Sequence, residues 1–322
     1  MSEQEIIQKY FSRHQSICET VDVSVGDDAA VVRPPENSKL VVTTDTLNVN
    51  VHFYPDCKPQ YIGHKSLAVN LSDLAAMGAK PLWATLSLSL PNIDHDWLKD
   101  FSDGLYALAD MHELKIVGGD LVKGPLSITI QVIGSINSNL KLLRKACQLD
   151  DLIYVTGYLG DAALGLKLIN NNIKFDLKVS DRNYFIQRLQ KPIPRLDVST
   201  HIVEYAHAAI DISDGFLIDL QRILAMSNKA AEIDLEKIPV SNEMKGIINQ
   251  NYDVKNLLIG GEDYELLFTI DPKDKSRLEK HFKKEDIIVT EVGKIVEGIG
   301  VTLLNKNKPT DLPEITGFDH FS

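Results

Sequence analysis

An α/β or α+β fold in two domains is what the sequence predicts, on three observations. At 322 residues the chain exceeds the usual single-domain range, so two domains of roughly 150 residues each follow. Apolar residues recur with helical and strand periods in alternation from one end to the other. A polar, turn-rich segment, 137–151, closing on Asp150-Asp151, separates a first run of elements from a second that restarts the pattern. The expected domains are therefore 1–142 and 143–322.

In the first half a β-branched strand is expected over 39–44 and a helix over 61–77. A strand over 83–90 is ended by Pro91, a helix follows over 94–113, and a strand over 114–117 runs into Gly118-Gly119-Asp120. A long strand, 126–136, closes this half. The second half opens with a strand over 152–156 and helices over 160–169 and 181–190. A strand over 206–212 leads through a Ser-Asp-Gly turn to a helix over 216–227. Strands over 264–270, 287–292 and 300–304 complete the series.

Composition is 44 % apolar and 25 % charged, the range of chains that fold without a partner. A formal net charge of −11 with no clustered Lys or Arg excludes a nucleic-acid or anionic-membrane surface. Cys18, Cys57 and Cys147 are odd in number and lack close metal-ligand spacing, so neither a disulfide framework nor a zinc site is expected. The N-terminal stretch has no uninterrupted apolar region, and no window reaches the 18 or so apolar residues that a membrane span requires. The expected compartment is the cytoplasm.

Carboxylates recur where apolar strands are expected to stop. Asp45 follows Leu-Val-Val-Thr-Thr, Asp120 follows Ile-Val-Gly-Gly, Asp211 and Asp214 lie in Ala-Ile-Asp-Ile-Ser-Asp-Gly, and Glu262-Asp263 follow Leu-Ile-Gly-Gly. Asp27-Asp28 after Gly26, and Asp73 in Asn-Leu-Ser-Asp, enlarge the set. Any one of them is explicable as a turn former or helix cap. As a set they point elsewhere, because two carboxylates ~4 Å apart repel by about 4 kcal/mol at an effective dielectric of 20 and converge only around cations. Carboxylates without His or Cys partners select magnesium or manganese, and magnesium is usually shared with substrate phosphates. An acidic pocket of this kind takes an anionic phosphate through metal bridges.

No Walker loop, Gly-x-Gly-x-x-Gly helix start or protein-kinase motif set is present. Gly63-His64-Lys65-Ser66 lacks the upstream glycine of a Walker loop, so Lys65 is read as a surface helix residue.

In order and spacing, Gly26-Asp27-Asp28-Ala29, Thr43-Thr44-Asp45-Thr46 with His52-Phe53, and Asn70-Leu71-Ser72-Asp73-Leu74-Ala75-Ala76-Met77-Gly78-Ala79 resemble the thiamine-monophosphate kinases. So do Gly118-Gly119-Asp120, Asp211-Ile212-Ser213-Asp214-Gly215, Gly260-Gly261-Glu262-Asp263-Tyr264-Glu265-Leu266 and the closing Gly317-Phe318-Asp319-His320-Phe321. That family shares its superfamily with aminoimidazole-ribonucleotide synthetase and selenophosphate synthetase. The resemblance spans nearly the whole chain.

It implies a two-domain aminoimidazole-ribonucleotide synthetase-like fold, with an N-terminal mixed sheet and helices and a C-terminal α/β domain. It also implies a homodimer through the N-terminal sheets and an active site in the cleft between domains. The resemblance further implies that Asp28, Thr43, Thr44, Asp45, Asp73, Asp120, Asp211 and Asp214 hold several Mg2+ ions. Gly119, Asp120, Arg144 and Ser213 would contact ATP, and His52, Glu262 and Phe318 thiamine monophosphate. One departure stands out: the family often has threonines after Gly-Gly-Asp, whereas Leu121 and Val122 stand here, followed by Lys123 where Arg is common. Backbone N–H groups would have to serve phosphate at those positions.

The implied reaction is ATP-dependent phosphorylation of thiamine monophosphate to thiamine diphosphate. The acceptor phosphate is already ionised at pH 7, so the reaction needs no general base and no phosphoenzyme. Two other superfamily reactions fit less well. A selenide enzyme would carry a reactive N-terminal Cys, but Cys18 falls at an expected helix end or turn, and a hydrogenase-type maturation enzyme would need a C-terminal Cys where this sequence reads His-Phe-Ser. A regulatory module that merely binds magnesium nucleotide would not need so many carboxylates.

Overall fold

The computed structural model describes residues 2–13, 18–137, 141–173, 175–285 and 287–314. Two compact units divide the chain, Met1–Leu74 with Ala79–Lys141, and Ala75–Gly78 with Leu142–Ser322.

The first unit opens with α1 (Glu3–Tyr10), started by a reciprocal capping box between Ser2 and Glu5. A two-stranded ribbon, β1 (Val21–Val23) and β2 (Val31–Val32), precedes β3 (Ser38–Asn48), α2 (Pro59–Ala76), β4 (Lys80–Leu90), α3 (His95–Met111), β5 (Lys115–Lys123) and β6 (Ser127–Asn137). The main sheet has the order β3-β6-β4-β5, antiparallel except for β4 and β5, which α3 joins as a crossover. Asp94 caps α3 by accepting the N–H groups of Asp96 and Trp97, both at 3.0 Å. Buried residues occupy every side of α2, so it is the core helix of this unit and carries Asn70, Ser72 and His64 inward with its aliphatic residues.

Two strands run further than hydropathy indicates. Each residue of β3 pairs in register with β6, from Ser38 opposite Asn137 to Asn48 opposite Ser127. Likewise β5 continues through Gly118-Gly119-Asp120, pairing with β4 as far as Lys123 opposite Leu90. Asp45 and Asp120 therefore lie within edge strands and not at strand ends, a correction to the expected placement. The reason is that backbone pairing with a neighbour outlasts the apolar run that signals a strand.

The second unit holds β7 (Leu152–Thr156), α4 (Asp161–Ile169), α5 (Val179–Gln190), α6 (Leu196–Ile202), β8 (Ala206–Asp211), α7 (Phe216–Ser227), β9 (Ala230–Asp234), α8 (Asn242–Ile248), β10 (Leu266–Ile270), α9 (Lys275–Lys284), β11 (Val289–Val296), β12 (Gly300–Asn305) and β13 (Lys308–Thr310). Its seven strands run β13-β12-β9-β11-β7-β10-β8, and β9 with β12 is the parallel pair. With a single parallel pair in each main sheet, the two-domain fold is α+β. One apolar core, including Ile153, Val155, Ile210, Phe216, Leu220 and Leu267, fills the unit. Among the described residues no helix is long and apolar enough to cross a membrane.

Candidate active site

In the first unit β3 lies beside α2. Alternation along the strand turns Thr43, Asp45 and Leu47 to the same face and Thr44 and Thr46 to the other. The Thr43 hydroxyl donates to Oδ2 of Asp73 on α2. Burial, and secondarily the Asp73 carboxylate, pushes the Asp45 carboxyl up to about 6. No Lys or Arg is bonded to Asp45 among the described residues. Thr44 faces away, accepting a hydrogen bond from Gln131 Nε2 at 3.4 Å, so its hydroxyl is not part of this group.

A second group forms around the β1–β2 ribbon. Val21, Trp83 and Val117 make a small core against Val32 and Ile133, and the Trp83 indole N–H reaches the Thr20 hydroxyl at 3.4 Å. This fixes the loop Gly26-Asp27-Asp28-Ala29 beside β5. Together they line a cavity of about 1280 Å³, walled by α1, by Gly26 to Ala30 and by Gly118-Gly119-Asp120. The exposed Asp28 and Asp120 both open onto it. A side chain at Gly119 would meet the Leu86 carbonyl oxygen at 1.9 Å, so only glycine lets β5 pass here. After it, Leu121 packs inward and Val122 is exposed, neither offering a hydroxyl.

Register separates the two groups. Asp45 aligns with Ile130, Leu86 and Gly119 in one row, and Asp120 with Ser87, Thr129 and Thr46 in the next. Paired residues share a face and neighbours along a strand alternate, so Asp45 and Asp120 point to opposite faces from opposite edges, about 14 Å apart by three strand spacings. Asp45 and Asp120 therefore do not converge on one point within the first unit. Among the described residues no three His, Cys, Asp or Glu side chains are close enough to hold an ion by themselves. Each group still fits magnesium, which takes one or two carboxylates and completes its shell with phosphate oxygens and water. All the donors are oxygens, and Asp45 is held beside Asp73 at a cost in ionisation that a cation would relieve.

In the second unit, buried Asp211 ends β8 and leads into the turn Ser213-Asp214-Gly215 at the start of α7. The segment Gly260 to Glu265 lies against this turn. Glu262 N–H donates to the Ser213 carbonyl at 2.8 Å and Tyr264 N–H to the Ile212 carbonyl at 2.9 Å. Any side chain at Gly261 would strike the Ser213 carbonyl at 2.3 Å. Glu262 itself adopts φ 73, a left-handed conformation uncommon for a residue with a side chain and often found at ligand sites.

Its neighbours explain how that conformation is held. Asp263 is buried and accepts Gly160 N–H at 2.8 Å and Ala162 N–H at 3.4 Å at the start of α4, its carboxyl pushed well above the usual range by burial. Glu265 is fully buried, takes both Nε and Nη2 of Arg195 at 2.6 and 2.5 Å, Arg188 at 3.0 Å and the Thr156 hydroxyl at 2.6 Å. Burial alone would raise its carboxyl, but the two guanidiniums outweigh that and hold it below the usual range.

The AIR synthase related protein families match both parts of the chain, the N-terminal domain over residues 26–136 and the C-terminal domain over 150–304. Thiamine-monophosphate kinase of Haemophilus influenzae is 40% identical over 325 residues, covering 100% of this chain and 98% of its own. The chain belongs to the thiamine-monophosphate kinase family. A crystal structure of thiamine-monophosphate kinase from Stenotrophomonas maltophilia K279a superimposes with a TM-score of 0.84 at 40% identity, covering 93% of this chain and 94% of that one. A structure of AaThiL complexed with AMPPCP and TMP matches with a TM-score of 0.77 at 33% identity and 92% coverage of each chain.

Within this thiamine-monophosphate kinase family member, the remaining expected residues are less tightly grouped. His52 sits in the turn after β3, where its Nδ1 accepts Asn48 N–H at 2.9 Å. Arg144 is exposed, and Phe318 lies outside the described residues. Lys65 is not a surface residue: it is 4% exposed, and its ammonium donates to the His52 carbonyl at 3.2 Å. The correction follows from α2 being enclosed on all sides, which leaves its lysine no outward face. Asp263, grouped with the strand-end carboxylates in the sequence, instead caps the start of α4, and sequence reasoning passed over Asp219, Arg222 and Glu265 as individual residues. An acidic residue in the first turn of α7 with Arg three positions on was the available signal for the first two.

Proposed function

We propose that this protein transfers the γ-phosphoryl group of ATP to thiamine monophosphate, forming thiamine diphosphate by direct in-line attack of an acceptor-phosphate oxygen. The observation that carries the reading is the full-length 40% identity to a named thiamine-monophosphate kinase, together with an acidic, oxygen-only donor set built on that family's motifs. Asp45, Asp73 and Thr43 form one magnesium-holding group, Asp28 and Asp120 a second, and Asp211 with Asp214 a third. Thr44 stands apart from these groups, since its hydroxyl faces the other side of β3. Magnesium, when bound, neutralises the phosphate charges that would otherwise repel one another in an acidic pocket.

The chain's own residues position and exclude. Gly119, Asp120, Arg144 and Ser213 contact the nucleotide, with backbone N–H groups after Asp120 replacing hydroxyls. His52, Glu262 and Phe318 hold thiamine monophosphate, whose thiazolium cation suits a carboxylate and an aromatic face. No side chain takes a proton from the acceptor, because the phosphomonoester is already ionised. Residues 1–142 supply metal and ATP contacts, and residues 143–322 supply Ser213, Glu262 and Phe318 to the same reaction.

The protein acts as a homodimer in the cytoplasm, where ATP is available. Exposed Leu40 and Val42, 48% and 58% accessible, support a sheet-to-sheet contact on the face of β3 opposite Asp45. The test is ADP release from ATP and magnesium with thiamine monophosphate or unphosphorylated thiamine, with product identification. Thiamine diphosphate from the monophosphate alone supports the reading, and ADP release with neither acceptor overturns it.

A further inference from the structure

The turn that carries Ser213 and Asp214 is held from inside by one carboxylate. Asp219 is fully buried, and its Oδ2 accepts the N–H groups of Ser213, Asp214 and Gly215 at 3.1, 3.1 and 3.2 Å. Its other oxygen, Oδ1, accepts Nη1 of Arg222 at 2.5 Å, and Nη2 of the same guanidinium donates to Asp214 Oδ2 at 2.6 Å. Arg222 thus bridges a carboxylate that is 0% exposed and one that is 28% exposed, while its own side chain is 39% exposed.

These two contacts differ in kind. Asp219 needs a counter-charge, since a buried carboxylate without one is strongly unfavourable, and its three N–H bonds shape the turn whatever happens at Asp214. The Asp214 contact is a partly solvated ion pair of small worth, made through a separate nitrogen, so it can open without disturbing the other. A guanidinium held on Asp214 Oδ2 offsets the charge that a divalent cation would meet at that carboxylate, and the two cations repel each other, so the contact opposes metal binding there.

We propose that Arg222 is a stand-in cation for Asp214: it holds that carboxylate in the metal-free protein and releases it to magnesium, while remaining bonded to Asp219. Asp219 is the positioning residue that keeps the turn in one shape in both states. The inference rests on reading Asp214 as a magnesium ligand. Its consequence is that Arg222 competes with metal, and does not assist it.

The experiment is binding of Mn2+, a paramagnetic substitute for Mg2+, to the full-length, nucleotide-free protein, followed by the free-ion paramagnetic resonance signal. Arg222→Lys is the main variant, since a single ammonium can neutralise buried Asp219 without spanning to Asp214 as well. Loss of an ion pair of this exposure corresponds to about fivefold tighter Mn2+ binding at this site. Arg222→Gln should also bind tighter but melt lower, having left Asp219 without its counter-charge, and Asp214→Asn should lose the site. If Asp214→Asn loses the site while Arg222→Lys binds with unchanged or weaker affinity, Arg222 orients Asp214 and the stand-in role is overturned. If Asp214→Asn leaves Mn2+ binding intact, the metal reading of Asp214 fails and the stand-in role fails with it.

Discussion

The carboxylates at Asp45 and at Asp214 are kept in place by opposite means. Asp45 is partly buried beside Asp73 with no cationic side chain bonded to it among the described residues, and its carboxyl is pushed up to about 6 by burial and by that neighbour. Asp214 shares Arg222 with Asp219, and backbone N–H groups complete the neutralisation of that pair. The first arrangement leaves electrostatic strain for a ligand to relieve, whereas the second supplies its own cation. Glu265 marks the limit of the second strategy, with two arginines and a threonine around a carboxylate that is 0% exposed. Carboxylates without internal counter-charge are the ones expected to act on ligands, and the fully matched ones to hold the scaffold.

That contrast breaks most visibly at Asp45. Under the proposed role of Asp45 as a magnesium ligand beside the reacting phosphates, Asp45→Asn should lower kcat about a thousandfold with the fold intact. Steady-state ADP release combined with a thermal melt checks this, and near-normal turnover would sink the assignment. Glu265→Gln should behave in the opposite sense. Leaving Arg188 and Arg195 without their anion should cost about 3 kcal/mol in denaturant-induced unfolding. A change under about 0.5 kcal/mol would show that this network is not structural, since breaking a buried pair rarely costs so little.

A smaller effect separates stability from function at a single residue. Burial and the Asp73 carboxylate push Asp45 up to about 6 in the fold, above the ordinary aspartate value of 3.8, so ionising it opposes folding. That penalty is absent below about pH 4, grows as pH rises toward 6 and is fully present above it. Asp45→Asn should therefore stabilise the metal-free protein at pH 7 by about 1 kcal/mol after allowing for solvent screening. The gain should vanish below pH 4 and shrink on adding Mg2+, as read from unfolding curves at each condition. The finest test uses strand alternation: Thr43→Ala should lower kcat/KM about tenfold through loss of a hydrogen bond to a charged group, and Thr44→Ala by less than about twofold. Equal effects would mean that the side of β3 on which a hydroxyl lies does not matter.

Much of the element order was legible because apolar period and punctuation agree. The strand over Leu152–Thr156 and the helix over Phe216–Ser227 are bounded by clear turn residues on both sides. The elements that went unread include β1, β2, α6, β9, α8, α9 and β13, which are short or polar and owe their form to what they pack on or pair with. Lys65 was misplaced for a related reason: α2 is surrounded, and a lysine inside it is satisfied by a carbonyl from a distant turn.

Residue identity alone determined the alternating two-domain character, the acidic and oxygen-only chemistry, and the motifs that place the chain in its family. These depend on side-chain chemistry and on local periodicity, both readable along one dimension. Only the tertiary structure decided which carboxylates meet. Strand register sends Asp45 and Asp120 to opposite faces, and α2 brings Asp73 to Thr43. Folding of α7 over its own first turn carries Asp219 beneath Ser213-Asp214-Gly215. The first two proximities are set by pairing and packing between segments far apart in sequence, the third by the local path of a turn into its helix, and an aspartate reads the same in a sequence whether its neighbour in space is another carboxylate or an arginine.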